Sequence, residues 1–156
     1  MKRRWKSLAI AIAIPLAVGG LSALLTMDSM KTFSSLNQPP LSPPGWLFGV
    51  VWTLLYALMG VASWLVYVSP APQQEKATAL RLYGAQLLVN FFWSIIFFNL
   101  EAYLFAFAWL LLLWVLIFAT ILYFYRIRPL SAYLLIPYLA WVTFAGYLNY
   151  GVYLLN

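Results

Sequence analysis

The side chains best suited to chemistry in this sequence are neutral polar and aromatic groups at helical spacing. Gln86, Asn90, Trp93 and Phe97 occur at i, i+4, i+7 and i+11, which places them on one face of a helix, with Ser94 beside them. An amide inside an apolar helix needs a hydrogen-bond partner on a neighbouring helix or on a ligand. This face is therefore a candidate for orienting a bound molecule.

Two further stripes combine large rings with apolar or small side chains. They comprise Phe48, Trp52, Tyr56 and Met59 in one segment, and Pro137, Trp141, Ala145, Leu148 and Asn149 in another. Trp52 and Trp141 lie well inside their apolar segments, whereas Trp5 and Trp46 lie near segment ends and fit an interfacial aromatic belt. Such stripes are typical of core packing. The alternative is a pocket for a flat, largely apolar ligand.

The ionisable residues exclude most hydrolytic and metal chemistry. The only acidic residues are Asp28, Glu75 and Glu101, and the chain contains neither His nor Cys. Paired-carboxylate catalysis, a Ser-His-Asp arrangement and metal catalysis therefore have no support. Without Cys there are no disulfides or thiolate metal sites. The sequence predicts no metal site and no required cofactor.

The elements that position these residues are membrane-spanning helices. Hydrophobic residues make up 65% of the 156 residues and charged residues only 8%, whereas a soluble domain has roughly a quarter charged residues. Five charge-free windows are each long enough for a spanning helix of about 20 residues. Without period-2 alternation they argue against a barrel. The predicted fold is an all-α integral membrane protein, a five-transmembrane-helix bundle.

The predicted domain organisation is a single membrane domain over residues 1–156. Its helices are expected at about 7–25, 46–67, 79–98, 103–125 and 132–155. Residues 26–45 form a loop whose end carries four prolines, which prevent a helix there. We expect this loop to be a stiff spacer or a lid.

The basic residues predict an orientation. Eight of the nine Lys and Arg residues lie before helix one or in the links after helices two and four, and Lys31 alone lies on the other side. By the positive-inside rule the N-terminus is cytoplasmic and the C-terminus outside. The net charge of +6 reflects this topology, because no water-facing domain is present to bind nucleic acid. The first segment also resembles a secretory signal peptide, but its apolar run is long for one.

A stripe of small residues lies on helix one. Ala9, Ala13 and Ala17 are spaced by four residues, which lets another helix approach closely. The partner helix is either in the same chain or in a second protomer.

The polar and aromatic stripes belong to four ordered motifs. These are Pro39-x-x-Ser42-Pro43-Pro44-Gly45-x-x-Phe48, Val51-Trp52-Thr53-x-Leu55-Tyr56-x-Leu58-Met59-Gly60, Gln86-x-x-x-Asn90-x-x-Trp93-Ser94-x-x-Phe97-Phe98 and Pro137-Tyr138-x-x-Trp141-x-x-Phe144-Ala145-x-x-Leu148-Asn149. Their order on five helices of matching length resembles the tryptophan-rich sensory protein / translocator protein family, which includes the peripheral-type benzodiazepine receptors. The likeness covers almost the whole chain.

The resemblance implies a five-helix bundle, often dimeric, whose cavity is closed by the first loop. Family members bind porphyrins and haem, cholesterol in animals, and synthetic benzodiazepines; bacterial members are linked to light-dependent porphyrin breakdown. Carried over by position, the ligand-binding residues are Phe33, Pro44, Trp52, Tyr56, Asn90, Trp93, Ser94, Trp141, Ala145 and Leu148. Trp52 and Trp141 are the pocket tryptophans, on opposite walls.

The sequence departs from the animal sterol motif. Tyr147, Tyr150 and Tyr153 are followed only by uncharged residues, whereas that motif requires a Lys or Arg. This speaks against sterol recognition and favours a member in a bacterial cell membrane.

The predicted function is a membrane receptor or sensor for a porphyrin or haem. One alternative is a light- and oxygen-dependent porphyrin-degrading enzyme, with Trp52 and Trp141 as catalytic residues. Another is a porphyrin or lipid transporter, although no ionisable group at mid-membrane depth supports ion coupling.

Overall fold

The computed structural model describes residues 2–156, and within them the chain folds into five long helices. They are α1 (Lys2–Phe33), α2 (Gly45–Tyr67), α3 (Gln73–Ser94), α4 (Tyr103–Ile127) and α5 (Pro129–Leu155). A π-helical turn, Ile95–Asn99, extends α3. Each of the five is long and apolar enough to cross a membrane. The prediction of an all-α, five-helix membrane bundle is confirmed.

The helices form a ring in which chain neighbours are not always spatial neighbours. Around the bundle the order is α1, α2, α5, α4, α3, and α3 returns to α1. The hydrophobic core lies between α2, α3, α4 and α5 and includes Met59, Leu113, Phe124 and Leu135. Helix α1 packs on the outside of this core, against α2 and α3.

Four predicted helix boundaries are wrong, and the first is the start of α1, which lies at Lys2 instead of near residue 7. Helix α1 continues to Phe33 instead of ending near residue 25, because hydropathy marks the hydrocarbon layer and polar helix can extend beyond it. Helix α3 starts at Gln73, directly after Pro72. Helix α5 starts with Pro129 at its first position, where proline needs no amide donor. The loop between α1 and α2 is correspondingly shorter than predicted.

The close approach of α1 to α2 uses glycines of both helices. A Cβ on Gly60 of α2 would lie 2.5 Å from the Ile12 Cα and 2.7 Å from the Ala11 carbonyl oxygen. A Cβ on Gly19 of α1 would overlap the Tyr56 ring. The backbones therefore meet at Gly60, and the Tyr56 ring lies against Gly19.

The predicted small-residue face of α1 is not the face that packs within the chain. Ala9, Ala13 and Ala17 are exposed, and the buried positions of α1 are Pro15, Ser22 and Thr26. Thr26 satisfies its hydroxyl locally, on the Ser22 carbonyl at 2.8 Å. The intramolecular interpretation of the alanine stripe is wrong, and contact with a second protomer stays a prediction.

Candidate functional site

A chain of buried hydrogen bonds joins three helices at the centre of the bundle. The Tyr56 hydroxyl donates to Asn90 Oδ1 at 3.0 Å, and Asn90 Nδ2 donates to the Tyr138 hydroxyl at 2.7 Å. The Tyr138 hydroxyl in turn donates to Gln86 Oε1 at 2.7 Å. Because lipid offers no alternative partners, these bonds fix α2, α3 and α5 relative to one another.

Aromatic rings of α2 and α5 surround this chain. Trp52 stacks on Tyr56 with ring centroids 5.5 Å apart and meets the edge of Tyr138 at 6.2 Å. Trp141 of α5 meets Phe48 of α2 at 5.7 Å. Each of the two predicted pocket tryptophans thus faces a ring on the opposite helix, and both pack against the main core; we call these rings together the aromatic cluster.

Two polar donors in this region are buried without a partner among residues 2–156. They are Gln86 Nε2 and Trp141 Nε1. A buried donor left unpaired costs about 1–3 kcal/mol, and such groups in a folded protein call for an explanation. Both donors lie on helices that carry the hydrogen-bond chain, α3 and α5.

A second aromatic group lies at the end of the bundle nearest the first loop. Phe33 of α1 meets Phe97 at 5.4 Å and Phe98 at 5.3 Å, both in the π-helical turn. Trp93 stacks on Phe97 at 5.1 Å, and its Nε1 donates to Asn149 Oδ1 at 3.1 Å. Trp93 packs against both the main core and the smaller core at this end of the bundle.

The first loop is fastened to the end of α5. Pro39 is buried against Gly151, where a Cβ would lie 2.6 Å from the proline ring. The Tyr147 hydroxyl donates to the Pro40 carbonyl at 2.8 Å, and Asn156 Nδ2 donates to the Asn37 carbonyl at 2.8 Å. The loop therefore covers the outer end of α5, as a lid would.

The tip of this loop is a strained turn. Leu41 has φ 71° and is 82% exposed, a left-handed conformation that costs a non-glycine residue about 1–2 kcal/mol. The Ser42 hydroxyl donates to the Pro39 carbonyl at 2.7 Å and closes the turn. The prolines on either side restrict the backbone further, so the turn keeps its shape.

The ten predicted ligand-binding residues fall into three groups. One group lies in or against the main core and contains Trp52, Tyr56, Asn90, Trp141 and Ala145. A second group lies at the loop end and contains Phe33 and Trp93. The remaining three residues belong to neither aromatic group: Ser94, Leu148 and Pro44. Ser94 is half-buried, Leu148 is buried, and Pro44 is exposed where it precedes α2.

Sequence reasoning left some central residues out of the site. Tyr138 and Gln86 complete the hydrogen-bond chain, although only their neighbours were named as ligand-binding. Helical spacing already placed Gln86 on the face of Asn90, and that signal was sufficient. Pro137 is exposed, so the inward stripe of α5 runs through Tyr138 instead of Pro137.

Two grooves lie away from this cluster, along α1. One of 320 Å³ is lined by residues of α1, α2 and α3, including Ile10, Trp64 and Tyr83. A second, of 300 Å³, is lined by residues of α1 and α3, including Leu21 and Gly84. In the aromatic cluster itself, Phe48 and Trp141 are in ring contact across α2 and α5. No group of three or more His, Cys, Asp or Glu side chains occurs in the described part of the chain.

Comparisons with known proteins cover nearly the whole chain. The sequence profile described as the TspO/MBR family matches residues 11–155. The chain is 36% identical to the tryptophan-rich protein TspO of Chlorobaculum tepidum, over 100% of this chain and 99% of that protein. It is 39% identical to the human translocator protein over 81% and 75% of the two chains. It is 35% identical to the tryptophan-rich sensory protein of Cereibacter sphaeroides over 86% and 81%.

Proposed function

Because the chain belongs to the TspO/MBR family of multi-pass membrane proteins, we propose that it is a receptor or sensor that binds a porphyrin-type ligand between its helices. Its relatives include proteins named sensory protein and translocator protein. The names do not specify the ligand. The proposal of a porphyrin or haem rests on the chemistry of the aromatic cluster.

The observation that carries the proposal is the pair of unpartnered buried donors beside stacked rings. Trp141 Nε1 and Gln86 Nε2 have hydrogen atoms to donate and no acceptor. A porphyrin offers a flat apolar face for Trp52 and Trp141 and carboxylates that accept such hydrogen bonds. A purely apolar ligand would leave both donors unpaired.

Binding requires α2 and α5 to separate locally, because Phe48 and Trp141 now touch. Asn90 and Ser94 would then supply orienting hydrogen bonds. Pro39 and Pro40 would hold the loop over the end of α5 and keep water out. Without His or Cys in the chain, the site lacks the commonest haem ligands, so the free-base porphyrin suits it as well as haem does.

The test is a porphyrin titration of the purified protein in detergent, followed by tryptophan quenching and the porphyrin Soret band. A stacking contact is worth about 0.5–1.5 kcal/mol, and a phenyl ring retains part of it. We therefore expect Trp52→Phe and Trp141→Phe each to weaken binding a few-fold. Trp5→Phe and Trp46→Phe are matched controls, because these side chains are 69% and 70% exposed near helix starts. Equal affinity of wild type and the Trp52→Phe/Trp141→Phe double variant would refute the site.

A second candidate function is light- and oxygen-dependent porphyrin breakdown. It is favoured by the contact of Trp52 with Tyr56 and Tyr138, since indole and phenol rings in contact can pass an electron to an excited ligand. Irradiation in air should then bleach the Soret band with a defined product, and Trp→Phe changes should abolish bleaching while binding is nearly retained. If the bound porphyrin bleaches only as fast as free porphyrin, the enzyme function is excluded. Protein-dependent flux of porphyrin or lipid into liposomes would indicate a transporter instead.

We also propose a bacterial cell membrane location with a cytoplasmic N-terminus. The starts of α1, α3 and α5 lie at one end of the bundle, and eight basic residues lie at or near that end. A phosphatase fused after Asn156 should be active and a cytoplasmic reporter there inactive. The reverse pattern of reporter activity would place the C-terminus in the cytoplasm and contradict the proposed orientation.

A further inference from the structure

Two apolar grooves follow one another along α1 and α3, the first of them also bordered by α2, and we refer to them together as the α1–α3 crevice. The first groove is lined by Ile10 and Ile14 of α1 and by Leu80 and Tyr83 of α3. The second continues along the same two helices, with Val18 and Leu21 facing Gly84, Leu87 and Phe91. From Leu80 to Phe91 the seam rises roughly 16 Å along α3. This is the length and character of a lipid acyl chain lying between two helices.

Two cations lie at the mouth of this crevice. The Arg4 guanidinium carbon is 5.7 Å from the centre of the Trp64 ring, and Lys76 Nζ is 5.9 Å from the centre of the Tyr67 ring. Trp64 and Tyr67 both line the first groove. Lys76 Nζ donates to the Tyr67 and Ser69 carbonyls at 2.8 Å and 3.0 Å, which leaves its third hydrogen free.

The charge at this end of the bundle is strongly positive. Eight of the nine basic residues lie at this end, and Glu75 is the only acidic residue there. An anionic group at the mouth would meet Arg4 and Lys76 at the depth of the lipid headgroups, where basic residues attract anionic lipids.

A buried hydroxyl points to a polar atom part-way along the crevice. Tyr83 is only 8% exposed, lines the first groove, and its hydroxyl has no partner among residues 2–156. The neighbouring Ser63 hydroxyl donates its proton to the Gly60 carbonyl at 2.9 Å, and its oxygen is the nearby protein group that could compete for the Tyr83 proton. Side chains on a helix lean toward its N-terminus, which for α3 is the basic end. The Tyr83 side chain is therefore expected to lean toward the basic end of α3, with its ring against Phe124 of α4 at 6.0 Å.

From this arrangement we propose that the α1–α3 crevice is a binding site for one anionic phospholipid. An acyl chain lies in the seam, the Tyr83 hydroxyl donates to an ester carbonyl, and Arg4 and Lys76 bind the headgroup phosphate. The site lies on the α1–α3 side of the bundle, and none of the ten predicted ligand-binding residues lines it. It does not depend on the porphyrin proposal.

The experiment is native mass spectrometry of the delipidated full-length protein with phosphatidylglycerol or phosphatidylcholine carrying identical chains. We expect one tightly retained phosphatidylglycerol. Arg4→Gln/Lys76→Gln should lower its retention about tenfold, whereas Arg4→Lys/Lys76→Arg should not. Arg126→Gln is the matched control, because Arg126 also lies over a ring, Tyr123 at 5.3 Å, but on α4, away from the crevice. If Arg126→Gln lowers phosphatidylglycerol retention as much as the double variant does, the lipid is held by general attraction to basic surface residues, and the proposed site is overturned.

Two further variants test the seam and the hydroxyl separately. Gly84→Leu should expel the acyl chain by filling the crevice, because nothing lies within 4 Å of a Cβ there. Gly20→Leu, with equally open space, should leave lipid retention unchanged. Because a diether lipid has no ester carbonyl, the wild-type protein should retain diester phosphatidylglycerol better than the diether form. Tyr83→Phe should abolish this preference. Retention in Gly84→Leu, or displacement of the lipid by an equal concentration of inorganic phosphate, would show that no acyl chain occupies the seam.

Discussion

Helices α1 and α5 are both long and apolar, yet different contacts hold them in the bundle. We compare the most apolar 18-residue stretch of each helix. In α1 11% of that stretch is buried inside the bundle, and in α5 33% is buried. Helix α5 contributes Tyr138 to a buried hydrogen bond with Asn90 and Asn149 to a partly buried one with Trp93. The side-chain hydrogen bonds that tie α1 to other helices lie near its ends, such as Ser7 with Trp64 at 2.9 Å. Helix α1 is therefore held by backbone fit, and α5 by polar side chains.

This difference separates two kinds of mobility. Opening α1 exposes the α1–α3 seam but leaves the Tyr56–Asn90–Tyr138–Gln86 chain intact. Separating α2 from α5 for a ligand strains that chain. Regions with few buried contacts open first, so α1 is the element that moves most readily. The following substitutions test this contrast, in order of decreasing expected effect.

The largest effect is expected at the α1–α2 contact. In Gly60→Ala the new methyl group meets the Ile12 backbone at 2.5 Å, and backbone cannot move aside as a side chain can. We expect a loss of about 1–3 kcal/mol, measured as a lower thermal midpoint in detergent. Gly20→Ala has open space and should be neutral or slightly stabilising. Equal midpoints for the two variants would show that α1 is not held by close backbone fit.

The next effect contrasts a buried amide with an exposed one. Asn90 forms two buried side-chain hydrogen bonds, to Tyr56 and Tyr138. Asn99 forms two exposed ones to α1, with Ser29 and with the Leu25 carbonyl. An interhelical hydrogen bond in a membrane protein is worth about 0.6 kcal/mol on average. We expect Asn90→Ala to cost about 1–2 kcal/mol, because it also leaves buried partners unpaired.

In Asn99→Ala, water replaces the lost bonds, so the thermal midpoint should fall less than in Asn90→Ala. Hydrogen exchange should instead increase near the end of α1. If Asn99→Ala proves the more destabilising of the two, α1 depends on polar contacts as much as α5 does.

A smaller effect is expected where the loop meets α5. Tyr147→Phe removes the hydrogen bond to the Pro40 carbonyl; such a bond contributes about 0.5–1.5 kcal/mol net of its exchange with water. Amide exchange in residues 37–42 should become several-fold faster with little change in the thermal midpoint. Tyr150→Phe is the control, since Tyr150 packs on Phe107 at 5.1 Å and its hydroxyl forms no hydrogen bond with the loop within residues 2–156. Unchanged exchange in Tyr147→Phe would mean that Pro39 packing alone holds the loop.

The sequence predicted those features that repeat over many residues. Window hydropathy gave five spans, and helical spacing put Gln86, Asn90 and Trp93 on one inward face, as the structure has them. Helix ends were less accurate, because hydropathy reports the hydrocarbon layer and not the hydrogen-bonded helix. Pro72 and Pro129, immediately before or at a helix start, were usable signals for α3 and α5. The π-helical turn has no comparable signature.

The choice between faces of one helix was harder, and α1 shows why. Two stripes of small or polar residues share its sequence: Ala9, Ala13 and Ala17 on one face, and Pro15, Gly19, Ser22 and Thr26 on another. Spacing alone does not distinguish them. The second stripe contains the polar hydroxyls, which lipid disfavours, and that is the face the structure buries.

The smallest effect on the fold is expected from Ala13→Leu, and this variant decides what covers the exposed stripe. Because Ala13 is exposed, the larger side chain meets no part of its own chain, and the free energy of unfolding should stay within about 0.5 kcal/mol. If a second protomer packs on this face, Leu blocks the close backbone approach and light scattering in detergent should show monomers in place of dimers. Ala85→Leu, the same change on an exposed position of α3, should leave the oligomer intact. If the dimer survives Ala13→Leu, this face of α1 contacts lipid instead of a second protomer. Helix α1 would then be held only by its glycine contacts with α2 and by its seam with α3.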